Sequence, residues 1–123
     1  MPKNYGRNIK IVKNEVNMSL TRDFKETIVA RARRDSKFRQ AMLIESINEL
    51  LEGNVDSAKS MLRDYINATI SFTLLAGEMT KNPKSLQRMF SEKGNPTTAS
   101  LSEVLHILQK KEGIRLHVTS RKN

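Results

Sequence analysis

Cysteine is absent from this 123-residue chain, which excludes disulfides, zinc–thiolate sites and a cysteine nucleophile. Its absence fits a reducing compartment. Tryptophan is absent too, and four Phe and two Tyr supply no evident platform for stacking single-stranded bases, which disfavours RNA as a partner. No apolar run approaches the roughly 18 to 20 residues that a membrane span needs. The first twenty residues are polar and basic, unlike a secretory signal. They contain Lys and Glu15, unlike a Ser/Arg-rich transit peptide. The expectation is a cytoplasmic protein with no membrane partner. No G-x-S-x-G, no Gly-rich phosphate loop and no paired-carboxylate pattern appears. His106 and His117 stand apart, whereas a metal site needs three or four clustered ligands. The expectation is a protein that is not an enzyme and carries no cofactor.

What is present is positive charge, unevenly placed. The net charge is +9. Residues 1–40 carry eleven Lys/Arg against four Asp/Glu, residues 41–80 two against six, and residues 81–123 nine against three. Two basic ends around an acidic middle point to a polyanion, nucleic acid first. The bland alternative is a solvated basic surface.

Residues 1–18 read as a basic arm. "NIKIV" (8–12) can form a short strand or stay disordered until bound. Met18 is a second candidate start for the chain. Helical patterns follow. Phe24, Ile28 and Ala32 recur at i, i+4, i+8, with Asp23 and Glu26 as a capping pair. Asp35-Ser36 restarts the pattern, Phe38, Met42, Ile47, Leu50 and Leu51 give an apolar face, and Gly53 is a C-cap. Asn54 or Asp56 can cap a third helix presenting Ala58, Met61, Leu62, Tyr65 and Ile66. Ser71 caps a short fourth, "FTLLAGEM". Asn82 caps a fifth, with Pro83 at its first position, where the missing N–H costs nothing. "EKGNPTTA" (92–99) is a loop. Ser100 and Glu103 form a capping box for a sixth helix, with Val104, Leu105 and Leu108 on one side and Gly113 at its end. "IRLHV" (114–118) alternates like a strand, which must pair with "NIKIV" or with its copy in a second subunit. Met42, Met61, Met79 and Met89 read as core fillers.

"KNPKSLQRMF" (81–90) carries the function. A DNA-reading helix-turn-helix needs two short helices joined by a tight turn at a steep angle. The first needs a small residue at the crossing, and the second an apolar inner face with a polar or cationic outer one. Ala76 is the small residue, with Leu75 beside it, Thr80 in the turn and Leu86 facing inward. Lys84, Gln87 and Arg88 fall at i, i+3, i+4 on one face, opposite Leu86 and Met89. Arg and Lys can bond guanine O6 and N7, and Gln can bond adenine N6 and N7, in a major groove. The bland counterpart is two packed short helices with no ligand.

This spacing resembles the lambda-repressor-like helix-turn-helix. The longer stretch, "FTLLAGEMTKNPKSLQRMFSEKGNPTTASLSEVLHILQKKEGIRLHV" (72–118), is similar to bacterial addiction-module antidote proteins of the host-inhibition-of-growth type. "LTRDFKETIVARARRD" and "LRDYINATI" resemble the N-terminal part of a longer-chained subgroup, so the likeness covers residues 19–118. It implies a five-helix repressor-type core, which with the patterns above makes an all-α protein with a short C-terminal strand. The basic arm is residues 1–18, a helical extension spans 19–53, the helix-turn-helix domain spans 54–118, and 119–123 is a tail. It also implies a homodimer on a double-stranded operator, with the 114–118 strand as a candidate interface, and a small toxin protein as partner. The expected base readers are Lys84, Gln87 and Arg88. Lys81, Asn82, Ser85, Lys93 and Asn95 accompany them. Two positions depart from the pattern. Thr80 stands where Gly is usual, which suggests a wider turn. Phe72 stands where a polar phosphate contact is common, and Thr73 takes that role instead. A stand-alone repressor and a helical interaction module that binds no DNA are the competing readings.

Two further charged groups have a double reading. Arg31, Arg33, Arg34, Lys37 and Arg39 can track phosphates or form a solvated face. Glu45, Glu49 and Glu52, at helical spacing, read as plain surface that could otherwise receive a partner's arginines.

Overall fold

The computed structural model describes residues 22–123. The basic arm, "NIKIV" and Met18 lie outside the described residues. Six helices follow one another: α1 (Arg22–Arg34), α2 (Ser36–Leu51), α3 (Val55–Ala68), α4 (Phe72–Met79), α5 (Pro83–Met89) and α6 (Thr98–Glu112). The architecture is all-α.

The boundaries follow from local chemistry. Asp35 caps α2 by accepting the Phe38 N–H at 3.1 Å. That bond, with Arg31 beside it, holds the Asp35 carboxyl below the ordinary carboxylate range. Gly53 follows the end of α2 at a φ of 84°. Asn54 is the N-cap of α3 but makes no side-chain cap bond. Ser71 accepts the Leu74 N–H at 3.3 Å to start α4. Gly113, left-handed at φ 73°, ends α6.

Two expected details differ. α6 begins before the anticipated capping box, because Thr97 is the cap and accepts the Ser100 N–H at 3.1 Å. Ser100 is therefore inside the first turn, and buried. Residues 114–118 form no strand, and no strand occurs among the described residues. The alternation is satisfied differently. Ile114 and Leu116 pack against the core, while Arg115 and His117 stay exposed. Gln109 takes the place of a ladder partner, accepting the Ile114 N–H on its carbonyl at 3.1 Å and the Leu116 N–H on its side chain at 2.8 Å.

α3 is the central strut. Its expected apolar stripe, Ala58, Met61, Leu62, Tyr65 and Ile66, is buried throughout. It packs against α1 and α2 on one side. One contiguous core joins Ala32 of α1, Met42 and Leu43 of α2 and the α3 stripe to Leu75, Leu86, Val104 and Leu108. Met42, Met61 and Met79 fill it, and Met89 packs at its edge. In α2 the inward set differs from expectation. Ala41, Met42 and Leu43 are buried, whereas Leu51 is 64% exposed. Glu49, expected on the surface, is buried. It follows α2's inward side, one turn beyond Glu45 and Ser46.

Candidate nucleic-acid interface

α4 and α5 meet through a turn of three residues. Ala76 and Leu75, expected on the inner side of this pair, are fully buried. The turn closes through Lys81 N–H donating to Ala76 O at 2.9 Å. Thr80 takes φ 53° and ψ 47°, the left-handed conformation that Gly adopts at no cost. Threonine thus occupies the geometry that glycine adopts freely.

Asn82 starts α5. Its side-chain oxygen accepts the N–H groups of Lys84 at 2.9 Å and Ser85 at 3.1 Å. The cap commits that oxygen, leaving only its amide N–H groups for a ligand. Leu86 is fully buried, anchoring the inner face by about 2 kcal/mol. Lys84, Ser85, Gln87 and Arg88 are exposed, and Lys81 is half-buried at the turn. Lys93 and Asn95 are exposed on the following loop. Residues 81–95 carry Lys81, Lys84, Arg88 and Lys93 against a single acid, Glu92. Thr73 is exposed too, but it lines a cavity with Arg33 and Lys111.

What fixes α5 from behind is invisible in its own sequence. The two cations of the acidic middle, Lys59 and Arg63, lie one turn apart on α3 and reach the far end of α5. Lys59 is buried, and its ammonium donates to the carbonyls of Ser91 at 3.1 Å, Glu92 at 3.3 Å and Gly94 at 2.5 Å. It also sits 3.5 Å from the exposed Asp56 carboxylate. Arg63 donates to the Phe90 carbonyl. Phe90 is fully buried, its ring tilted 50° against Phe72 at 6.1 Å. Arg63 thus sits on the cap residue that ends α5, where a cation is well placed, and Lys59 holds the loop that follows. Ser91 adds a hydroxyl donated to Arg88 O at 2.6 Å. Gly94 closes the arrangement, because a Cβ there would lie 1.8 Å from that same carbonyl.

A second polar cluster ties the frame together. The Glu112 carboxylate accepts Arg39 Nε at 2.9 and 3.0 Å, Gln40 Nε2 at 3.3 Å and the Tyr65 hydroxyl. α2, α3 and the end of α6 are thereby joined. Burial pushes the Tyr65 phenol far above its ordinary value, reinforced by Glu112 and opposed by Arg39. Tyr65 remains a donor.

The basic cluster near the α1–α2 junction is mostly engaged within the fold. Arg31 lies 3.6 Å from Asp35 and stacks on the Phe38 ring at 4.3 Å. Arg39 belongs to Glu112. Arg33 reaches Asn67 O at 3.4 Å, while Arg34 and Lys37 are exposed. His106 and His117 are exposed, and no group of three or more acids or histidines gathers among the described residues. No helix there is long and apolar enough to cross a membrane.

No family model, curated protein or solved structure matches this chain. The resemblance to antidote proteins rests on the residues quoted for it.

Proposed function

We propose that this protein is a sequence-specific regulator that binds double-stranded DNA and reads an operator with the outer face of α5. The observation that carries this reading is the division of α5. Leu86 is sealed in the core while Lys84, Gln87 and Arg88 stand exposed together, on a helix braced by Lys59 and Arg63. A seven-residue helix with a rigid mount and cationic outer residues suits a major groove. Lys81, Ser85, Lys93 and Asn95 suit phosphate contacts on either side. Asn82 contributes mainly as the cap of this helix. Thr73 suits a phosphate only where DNA extends past α4.

The resemblance extends the proposal. The protein acts in the bacterial cytoplasm as a homodimer, and as the antidote of a toxin whose operon it represses. Two recognition helices reading successive major grooves require half-sites about 34 Å apart. A stand-alone repressor differs only in lacking a small toxin that co-purifies with it.

Fluorescence anisotropy on a duplex from upstream of the gene, beside a scrambled duplex at two salt concentrations, tests the reading. The expected gap is about a thousandfold or more. Gln87→Ala or Arg88→Ala should lose about 1–3 kcal/mol on the operator and little on random DNA. Equal, steeply salt-sensitive binding to both duplexes would reduce the interaction to charge. Absence of binding to either would favour a helical interaction module.

A further inference from the structure

A cavity lies away from α5, where α1, α4 and α6 converge around the α3–α4 turn. It measures about 770 Å³, within the range of small-molecule sites. Ala68, Ile70, Leu74 and Gly77 supply apolar wall, and the Lys111–Glu78 ion pair, 2.8 Å long, bounds one side. Arg39 and Glu112, also in the lining, neutralise each other. Arg33 is the surplus charge. Its guanidinium donates to the Asn67 carbonyl at 3.4 Å, beside a neighbouring hollow that Glu26 and Asp64 also line, and no ion pair within 4.0 Å is formed there among the described residues.

Gly77 supplies a separate pointer. It sits inside α4, where glycine weakens a helix relative to alanine. A Cβ built on it meets nothing within 4 Å. Nothing among the described residues therefore requires a glycine there, and the position is open space on the cavity wall. Leu74, one turn earlier on the same wall, is 65% exposed. An apolar wall, an open helix face and a guanidinium therefore share one cavity.

We propose that this cavity binds a small amphipathic carboxylate, with Arg33 taking the carboxylate and Leu74, Gly77, Ala68 and Ile70 enclosing the hydrocarbon. The proposal stands on the cavity and not on operator binding, so either can fail without the other.

Isothermal titration of the full chain with octanoate, octylammonium and octanol tests it. Octanoate should bind saturably at one site, and octylammonium at least tenfold more weakly. Arg33→Gln should weaken octanoate tenfold or more while leaving octanol unchanged. Gly77→Leu should abolish octanoate binding by filling the space. Gly77→Ala should raise the melting temperature while weakening octanoate, a divergence that a merely structural glycine would not produce. No saturable octanoate binding, equal binding of octylammonium, or an unchanged affinity in both Arg33→Gln and Gly77→Leu would overturn the assignment. Arg33 is exposed, so its variant tests the proposal even if Gly77→Leu unfolds.

Discussion

Thr80 holds a conformation that its side chain opposes. At φ 53° a β-branched residue crowds its own carbonyl, at a cost of about 1–2 kcal/mol. Glycine removes that crowding but adds about 0.4–1 kcal/mol of unfolded-state entropy to be lost on folding. Thr80→Gly should therefore stabilise the protein by about 0.5–1 kcal/mol, seen as a melting temperature a few degrees higher. A lower melting temperature would mean that the threonine side chain contributes more than its strain costs. The turn itself was legible, because Asn82-Pro83 is a start signal that local chemistry imposes. Its backbone geometry was not, because threonine rarely accompanies a left-handed residue and the usual sign, glycine, is missing.

Helices were the most legible elements, since an amphipathic stripe such as Ala58, Met61, Leu62, Tyr65 and Ile66 records its own burial. The brace behind α5 was not legible. Lys59 meets its carbonyls 32 to 35 residues away, and no local pattern encodes that distance. A cation beside a buried stripe, in a segment otherwise acidic, was the available sign. Lys59→Met keeps much of the apolar stem and removes the donor. It leaves the carbonyls of Ser91, Glu92 and Gly94 without the ammonium they share. A loss of about 2–3 kcal/mol in stability is expected, with faster amide exchange concentrated in residues 90–97. Uniform exchange across all helices would sink the idea of a local brace. The 114–118 segment shows the opposite limit. Its alternation foretold the inward turn of Ile114 and Leu116 but not the exposure of Val118, and alternation alone cannot say whether a strand or a glutamine side chain completes the backbone bonds.

For the molecule as a whole, the extension and the helices after Asn54 share one core. Removing α1 and α2 would strip Ala32, Met42 and Leu43 from the α3 stripe and Arg39 from Glu112. A chain beginning at Asn54 should thus lose cooperative unfolding and near-ultraviolet dichroism while keeping helical content. A sharp melting transition in that fragment would show that residues 54–118 fold alone. The uneven charge visible in the sequence also changes meaning once folded. Lys59 and Arg63 are turned toward carbonyls, and Arg39 is occupied by a carboxylate. None of the three is placed to displace a condensed counterion from a nucleic-acid backbone. A tally of lysines and arginines consequently overstates how many phosphates this protein can neutralise, and the salt slope of any complex it forms should be interpreted from its outward cations.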